Sequence, residues 1–489
     1  MNGPIRQVAL AVFVAFALLV ASATYVQAIR GPEYRDDPRN ARLIAGRTGR
    51  ERGTVITLDG VVVAESIPNP DDTRLFTRRY PEGDLYAHIV GYTSLLFGTT
   101  GLERERSGVL VSNRDATISG VLNALLGGDL RPRGIRLTID DSLQRIAAEA
   151  LGDQRGAVVA LDPDTGAVLA MVSRPGFDPN PLLGTDAGPA GEALESDPAR
   201  PLLNRAIGAT YAPGSTFKIV TAAAALESGS VSAGSTFPDP VALELPGSTA
   251  TIRNFDREVC IDGSQVTLEQ AFIRSCNTIF AMLGLQLGAD PIVGAAEALG
   301  FNDRPQFDME VVASAIPPAD SFENDLPGVA QSAIGQRDVR TTPLQMALLT
   351  SAVANGGEIM TAHLVAEVFN SDAEIESTTE PEVWRRAMSP ATAEAITDLM
   401  ERVVTSGTGG RAAVPGVRIA GKTGTAQVPD ASPHAWFVGF GPVGADAGTP
   451  RIVVAVLVEA GGEAGEDATG GAVAAPIARA VFSEFFGVR

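Results

Sequence analysis

Two lysines are the residues of this 489-residue chain best suited to acid–base chemistry, because the other 36 members of its Lys and Arg set are arginines. A buried lysine can lose its proton, whereas an arginine stays charged in any protein environment. Lys218 ends Ser215-Thr216-Phe217-Lys218, and Lys422 begins Lys422-Thr423-Gly424-Thr425. A compositional bias towards Arg, Ala and Gly also explains the scarcity of lysine. The placement of both lysines beside hydroxyl side chains nevertheless indicates a chemical site.

The first lysine is predicted to share a helix face with a serine. Tyr211-Ala-Pro-Gly214 breaks the chain, and an apolar helical run then extends from Ser215 to Ala225. A spacing of three puts Ser215 and Lys218 one turn apart on one face. The helix dipole favours an alkoxide at the N-terminus, and a neutral lysine can accept the serine proton if burial lowers its pKa. The alternative is a helix N-cap followed by a solvated lysine.

Two further motifs supply the groups that a serine acylation site needs. Ser275-Cys276-Asn277 follows Gln265–Arg274, which is predicted to be helical, and offers a hydroxyl for proton relay and an amide for a peptide carbonyl. Lys422–Thr425 follows Val417–Ala420, a predicted edge strand, and its cation, hydroxyls and glycine suit a terminal carboxylate. Each motif alone also fits an ordinary turn or strand. Their order along the chain favours an acylating serine site.

The elements that must position these motifs predict an α+β domain. A helix is expected at Asp141–Leu151 and another at Ala472–Phe486, on either side of a mainly helical middle. The expected strands lie at both ends of this region: Ile135–Ile139, Gly156–Leu161, Ala167–Val172, Trp436–Phe440 and Ile452–Val458. The sheet must therefore be completed by pieces that are distant in the sequence.

The N-terminus predicts a membrane anchor followed by a small β-rich module. Val8–Ile29 is almost wholly apolar and would form about 33 Å of helix, enough to cross a bilayer. A cleaved signal peptide is the alternative, because Ala21-Ser22-Ala23 and Val26-Gln27-Ala28 resemble cleavage sites. Asp59-Gly60 separates two apolar runs and predicts a hairpin. We therefore expect three parts: a cytoplasmic stub and signal anchor (1–30), a small non-catalytic domain (31–133) and a catalytic domain (134–489).

Composition excludes several classes of function. The chain is 45% hydrophobic and 20% charged, which is typical of a globular protein. Its net charge of −20 argues against a nucleic-acid partner, which would need a basic surface. Three scattered histidines and two cysteines give no metal-ligand spacing. We therefore expect neither a metal nor a cofactor.

Together the motifs resemble those of a class B penicillin-binding protein, a membrane-anchored D,D-transpeptidase that cross-links peptidoglycan. The resemblance covers about Gly134–Phe486 and implies a penicillin-binding transpeptidase (serine β-lactamase-like) fold. Supporting stretches include Tyr211-Ala-Pro-Gly-Ser-Thr-Phe-Lys218, Ala333-Ile-Gly-Gln336 and His434-Ala-Trp-Phe-Val-Gly439. The compact plan, with Gln336-Arg337-Asp338, resembles the actinobacterial penicillin-binding protein A group, which is linked to septal wall growth and cell division.

The resemblance implies a role for each motif residue. Ser215 would be the nucleophile and Lys218 its base, and Ser275 would pass a proton to the leaving D-Ala. Asn277 would hold the substrate backbone. The substrate carboxylate would be held by Lys422, Thr423 and Thr425, with Gly424 between them. The backbone N–H groups of Ser215 and Thr425 would form the oxyanion hole.

The resemblance also implies partners and location. The expected partners are peptidoglycan stem peptides, a lipid-linked precursor or nascent glycan, β-lactams and proteins of the division machinery. The expected location is the cell membrane, with a single span and an extracytoplasmic catalytic domain. In an exported protein Cys260 and Cys276 can pair and brace the active site; two reduced thiols are the alternative.

Three other functions remain open at this level. A D,D-carboxypeptidase uses the same groups but passes the acyl group to water. A serine β-lactamase would need a deacylating base, and no Glu-x-x-Leu-Asn segment lies between the second and third motifs. A catalytically weak β-lactam-binding sensor or scaffold is the alternative outside enzymes, although it would need an output domain that the chain does not show.

Overall fold

The computed structural model describes residues 2–30, 49–69, 75–111, 131–184, 187–256, 258–428, 431–444, 449 and 451–488. The α-helices, numbered in chain order, are α1 Asn2–Thr24, α2 Ala87–Val90, α3 Gly101–Glu105, α4 Ser107–Leu110, α5 Asp141–Leu151, α6 Ala187–Ser196, α7 Lys218–Glu227, α8 Leu268–Arg274, α9 Asn277–Leu287, α10 Ala289–Ala298, α11 Leu326–Ser332, α12 Pro343–Ala354, α13 Pro390–Ser406 and α14 Ala475–Phe485.

The strands are mostly short outside one long sheet. They are β1 Val55–Ile56, β2 Val62–Pro68, β3 Phe76–Arg79, β4 Thr93–Ser94, β5 Gly98–Thr99, β6 Gly134–Leu137, β7 Gly156–Leu161, β8 Val168–Arg174, β9 Thr236–Pro238, β10 Ala242–Glu244, β11 Thr251–Arg253, β12 Gln265–Thr267, β13 Glu358–Met360, β14 Val365–Phe369, β15 Ile375–Thr378, β16 Val383–Arg386, β17 Ala420–Val428, β18 Ala431–Gly441 and β19 Ile452–Val458.

A five-stranded antiparallel sheet, in the order β17-β18-β19-β7-β8, is the framework of the catalytic region. Val456 of β19 pairs with Val158 of β7, nearly 300 residues earlier in the chain. This confirms the predicted α+β domain whose sheet is completed by distant pieces. Strand β17 forms one edge of the sheet, so its outer side is available to other elements.

Helices cover both faces of this sheet. Helices α5 and α14 pack on one face, where Leu143, Leu151 and Phe482 join a cluster with the apolar side chains of β7 and β19. Helix α12 is buried along its whole length and packs against β7, β18 and β19 on the other face. Because the sheet is buried on both faces, β7 and β19 are continuous apolar runs rather than alternating ones.

A second sheet joins the small domain to the catalytic region. Its order is β15-β14-β6-β1-β2-β3, and β1 runs parallel to β6. The predicted Asp59-Gly60 hairpin is present, because β1 pairs with β2 in antiparallel fashion and Gly60 has φ 92°. The predicted domain 31–133 is described over 49–69, 75–111 and 131–133; the rest lies outside the described residues. Its strands belong to a sheet that continues into the catalytic region.

Several predicted elements need correction. Gln265–Thr267 is strand β12 rather than helix, because it pairs with β9, and the helix begins at Leu268. Val417–Ala420 is not a strand, since β17 begins at Ala420 and contains the whole Lys422–Thr425 motif. The C-terminal helix begins at Ala475, after a π-helical turn at Gly470–Ala474.

The N-terminal helix has the length and composition of a membrane span. Within the described residues the apolar segment runs from Ile5 to Gln27, with a mean hydropathy of 2.3 and no burial against the rest of the chain. It therefore begins three residues before the predicted Val8 and ends two residues before Ile29. The side chains that it exposes are large and apolar, including Phe13 and Leu18.

Candidate active site

The predicted nucleophile lies in a tightly held turn. Ser215 is in a 3-10 turn, Gly214–Phe217, and the α-helix begins only at Lys218, later than predicted. Gly214 N donates to Gly335 O at 2.9 Å, and Trp436 Nε1 donates to Ala212 O at 3.0 Å. A Cβ atom at Gly335 would collide with Gly214 O, so only glycine fits there. The turn is therefore clamped from the helical side and from the sheet.

Ser215 keeps its backbone N–H and its hydroxyl unpaired among the described residues. Among the described residues its backbone N–H has no acceptor, and its hydroxyl makes no hydrogen bond. The side chain is half-buried and lines the cleft. Ser215 can therefore offer both an N–H and a hydroxyl to a ligand.

Lys218 is fully buried beneath this serine and is held by the second motif. Its Nζ donates to Ser275 O at 2.6 Å and to Asn277 Oδ1 at 2.8 Å, and it lies 3.4 Å from Ser275 Oγ. No hydrogen bond joins Lys218 Nζ to Ser215 Oγ among the described residues. Catalytic hydrogen bonds are often loose in a free enzyme and tighten when substrate binds.

The electrostatics of Lys218 favour a neutral amine. Burial, with the nearby Lys422 cation as a second cause, holds the pKa of Lys218 well below its usual value of 10.5. A neutral amine has two N–H donors, which match Ser275 O and Asn277 Oδ1, and one lone pair. That lone pair is then free to accept a proton from a hydroxyl.

Ser275 joins the two lysines. Its backbone is left-handed, with φ 63°, at the C-terminal end of α8. Its Oγ accepts a hydrogen bond from Lys422 Nζ at 2.8 Å and lies 3.4 Å from Lys218 Nζ. Lys422 is also fully buried, and burial lowers its pKa from 10.5 to about 7. Lys422 therefore lies beneath the cavity, against Ser275, and does not project into the open cleft.

Asn277 begins helix α9 and is anchored by a residue that the sequence reasoning missed. Asn254 Oδ1 accepts the backbone N–H of Asn277 at 2.8 Å and lines the same cleft. Asn277 Oδ1 binds Lys218, and its Nδ2 donates to Arg253 O at 3.0 Å. One N–H of the Asn277 amide therefore remains for a substrate carbonyl.

Strand β17 presents the third motif along the edge of the sheet. Thr423 Oγ1 lies 2.6 Å from Thr408 Oγ1, another residue that the sequence reasoning missed. Gly424 is required for packing, because a Cβ there would lie 2.9 Å from Thr216 Cγ2 and 3.0 Å from Pro213 O. The close approach of β17 to the nucleophile turn therefore requires a glycine at this position.

The predicted residues surround one cavity of about 620 Å³. The cavity is lined by Ser215, Cys260, Ser275, Cys276, Asn277, Thr423, Gly424 and Thr425. Lys218 and Lys422 lie directly beneath it and bind Ser275. The arrangement brings a hydroxyl, two buried amines, and the backbone of the Ser215 turn and of strand β17 to one place, as acyl transfer through serine requires.

A buried ion pair supports the nucleophile turn from the side and was not predicted. Glu459 Oε1 accepts from Tyr211 OH at 2.6 Å and from Arg205 Nε at 2.8 Å. Tyr211 begins the loop that ends at Ser215. No local spacing in the sequence links Glu459 to Tyr211, because they lie 248 residues apart.

A disulfide joins Cys260 to Cys276, with 5.6 Å between the two Cα atoms. Cys276 is buried between Ser275 and Asn277, and Cys260 lies in the loop that contributes Asn254 and Val259 to the cleft wall. Asp239 holds the same loop by accepting the backbone N–H groups of Cys260, Ile261 and Gly263. The bridge therefore ties one cleft wall to the second motif.

We expect Cys260→Ser to lower the thermal unfolding midpoint of the catalytic domain by several degrees. The bridge closes a segment with a sequence separation of 16, for which chain entropy gives about 3 kcal/mol. Calorimetry of Cys260→Ser, Cys276→Ser and the double variant would check this, since all three lose the same bond and should lose the same stability. Additive losses, or free thiols in non-reducing peptide maps of the exported protein, would contradict it.

Comparison with known proteins places this geometry in a family. The penicillin-binding protein transpeptidase domain matches residues 156–483, and the penicillin-binding protein A dimerisation domain matches residues 52–134. The chain is 41% identical to the peptidoglycan D,D-transpeptidase PbpA of Mycolicibacterium smegmatis, over 99% of both chains. It is 38% identical to PbpA of Mycobacterium tuberculosis, over 98% of both chains.

A solved structure shows the same fold. The ceftriaxone acyl-enzyme complex of penicillin-binding protein A from M. tuberculosis superposes with a TM-score of 0.82 and 37% sequence identity. The match covers 90% of this chain and 99% of that one. The chain therefore belongs to the class B penicillin-binding proteins and is a serine-type peptidoglycan D-Ala-D-Ala transpeptidase.

Proposed function

We propose that Ser215 is the acylated residue and that Lys218 is its base. The observation that carries this proposal is the convergence of two buried lysines on Ser275, directly beneath a serine whose N–H and hydroxyl are unpaired among the described residues. Ser215 Oγ attacks the carbonyl carbon of the penultimate D-Ala, and Lys218 Nζ accepts its proton. The N–H groups of Ser215 and Thr425 stabilise the oxyanion, each by about 3 kcal/mol.

The second half of the reaction uses the hydroxyl between the lysines. As the tetrahedral intermediate collapses, the peptide C–N bond breaks and Ser275 relays a proton to the nitrogen of the leaving D-Ala. Asn277 holds the substrate backbone, and the Thr423 and Thr425 hydroxyls hold the substrate carboxylate, with Gly424 between them. Lys422 orients Ser275 and supplies positive charge from its buried position beside the Ser275 hydroxyl. A stem-peptide amine then attacks the acyl-serine and releases Ser215.

The same site is proposed to react with β-lactams. These inhibitors would acylate Ser215 in place of the stem peptide, as the solved acyl-enzymes of penicillin-binding protein A indicate for that protein. Water as well as an amine can reach the acyl-serine, so hydrolysis, the D,D-carboxypeptidase reaction, competes with transfer. The enzyme's transfer preference decides between them.

The test is mass spectrometry of the full chain in detergent. With benzylpenicillin we expect one stable adduct, located on Ser215 by peptide mapping. With a donor peptide ending in D-Ala-D-Ala and a second stem peptide carrying a free amine, we expect a cross-linked dimer and released D-Ala. A tetrapeptide alone would indicate a carboxypeptidase, and rapid penicillin hydrolysis without an adduct would indicate a β-lactamase. Neither adduct nor hydrolysis would indicate a sensor or scaffold.

The pH dependence of acylation should follow the two lysines. Acylation needs a neutral Lys218 and a charged Lys422, and the pKa of Lys422 is about 7 while that of Lys218 is also lowered. The second-order acylation constant should therefore fall as pH rises through about 7 and also fall at acid pH. Stopped-flow acylation between about pH 4 and pH 10, on both sides of the Lys422 pKa, would measure it. A constant that only rises up to pH 10 would contradict the charge assigned to Lys422.

We also propose the cellular setting. The 1–30 segment would anchor the chain by a single span, the 31–133 domain would be non-catalytic and the 134–489 domain would lie outside the membrane. The apolar segment Ile5–Gln27 supports the membrane anchor. The family matches at 52–134 and 156–483 support the division of the chain into two domains. Protease accessibility in intact cells, with N-terminal sequencing of the membrane fraction, would test both the topology and the alternative of a cleaved signal peptide.

We propose a role in septal wall synthesis from the resemblance to the penicillin-binding protein A group. The identity to two mycobacterial PbpA proteins extends over nearly the whole chain, and division-machinery proteins would then be partners alongside lipid-linked precursor or nascent glycan. Depletion of the protein in its own cells should give elongated cells with few septa. Depletion that leaves septum spacing unchanged and alters only cell width would contradict this role.

A further inference from the structure

One end of the cleft is built by the segment that follows helix α13. A Cβ at Gly407 would lie 2.6 Å from Ile273 O, so this segment passes directly against the end of α8, where Arg274 lies. Thr408, the next residue, bonds to Thr423 of β17. Arg411 Nη1 then donates to Ala472 O at 3.2 Å, beside the glycines that line the cleft. The segment is thus enclosed by α8, β17 and the turn at 470–474.

This end of the cleft carries two guanidinium groups. Arg274 and Arg411 both line the cavity, and both are exposed. Within the described ranges neither forms an ion pair with a carboxylate, and the bond to Ala472 O is the one hydrogen bond of the Arg411 side chain. Two neighbouring arginines are paired: Arg402 of helix α13 with Glu269, and Arg418, which precedes β17, with Glu401. The two arginines therefore bring positive charge to the cleft that no carboxylate of the described residues pairs.

The motif lysine does not replace this charge. Lys422 Nζ is fully buried and donates to Ser275 Oγ and Thr423 O, so it lies beneath the cavity and not in its lining. The polar residues that line this end of the cavity include Thr408, Thr423 and Thr469, together with the two arginines. Asp256, an acidic residue of the lining, belongs to the loop of Asn254, which holds Asn277. A guanidinium beside hydroxyls is suited to a carboxylate.

We propose that Arg411, with Arg274 on the wall of the same cavity, binds the C-terminal carboxylate of the donor stem peptide, and the equivalent carboxylate of a β-lactam. The inference rests on the proposed acylation of Ser215 and adds to it a determinant of specificity. Arg411 acts on the bound substrate and takes no part in proton transfer. The site selects donors with a free C-terminal carboxylate over amides and esters, because only a carboxylate pairs with the guanidinium.

The experiment compares benzylpenicillin with its methyl ester, which lacks the negative charge, on the full chain in detergent. For Arg411→Gln we expect the second-order acylation constant for benzylpenicillin to fall about tenfold, while that for the ester changes less than about twofold. Arg411→Lys keeps the charge and should retain most of the selectivity. Arg274→Gln should lower selectivity by a few fold. Arg402→Gln, whose exposed pair with Glu269 lies outside the cleft, is the matched control and should change neither constant.

The outcomes separate this inference from the proposal beneath it. If Arg411→Gln lowered the acylation constants of the acid and the ester equally, the arginine would only support the turn at Ala472. If neither constant fell, Arg411 would have no part in substrate recognition. Either result overturns the inference while leaving the Ser215 adduct intact. An adduct on a residue other than Ser215 in the unmodified protein would instead overturn the proposed acylation site, whatever the arginine variants do.

Discussion

Replacement of Ser215 by Ala is expected to abolish the benzylpenicillin adduct and cross-linking together. The hydroxyl of Ser215 is the nucleophile that this geometry supports, since its neighbours Thr216 and Ser275 are engaged: Thr216 Oγ1 donates to Pro213 O, and Ser275 Oγ binds Lys422. Alanine removes one oxygen and leaves the clamped 3-10 turn in place. Intact-mass spectrometry over several hours should therefore show unmodified protein only.

The chain offers a matched control for this substitution. Ser228 follows helix α7 at the end away from Ser215, is exposed and bonds to Ala225 O and Ser230 Oγ. Ser228→Ala should leave the acylation rate unchanged, and both variants should keep the thermal unfolding midpoint of the parent. If Ser215→Ala still gave one adduct per chain, the acylated residue would be another hydroxyl, and peptide mapping would identify it.

Elements that depend on their own side chains were predictable from the sequence. Helix α5 has the predicted bounds, Asp141–Leu151, because Asp140 caps its first turn through Leu143 N and an apolar face recurs at helical spacing. Strands β7 and β19 were visible as apolar runs, because both faces of the sheet are buried. In each case local chemistry and tertiary packing favour the same structure.

Elements that depend on a distant partner were not predictable. The Lys422–Thr425 motif has no alternating or apolar pattern, and it is a strand because β17 pairs with β18 along its length. Gln265–Thr267 is extended because it pairs with β9, about 30 residues earlier in the chain. The continuation of the small domain's sheet through β1 and β6 likewise has no local signal.

The same distinction applies to the site. Ser215, Lys218, Ser275, Asn277 and Lys422 were selected by their order in recognisable motifs, and the structure brings them around one cleft. Asn254, Thr408 and Arg411 act through contacts made by loops, and nothing in their local spacing marks them. The sequence also assigned Lys422 to the substrate carboxylate, whereas its Nζ lies against Ser275 and Thr423 O. These contacts are the reason for proposing that Lys422 orients Ser275.

The same conservative change at the two lysines should have very different effects. Lys218→Arg places a guanidinium, which cannot lose its proton, where the reaction needs a base, so we expect the acylation constant to fall by about 10³-fold or more. Lys422→Arg keeps a positive charge beside Ser275, so we expect a loss of only about tenfold. Stopped-flow acylation with benzylpenicillin, followed on the full chain in detergent, would measure both.

The pH profile of Lys422→Arg gives this comparison its independent check. If the alkaline fall of the parent enzyme reflects loss of the Lys422 proton, with its pKa near 7, then an arginine that stays charged should remove that fall. Because both sites are fully buried, Lys218→Met serves as a smaller, uncharged partner to Lys218→Arg, and melting curves would identify any variant that misfolds. A folded Lys218→Met enzyme that acylates within tenfold of the parent would mean that another group takes the Ser215 proton.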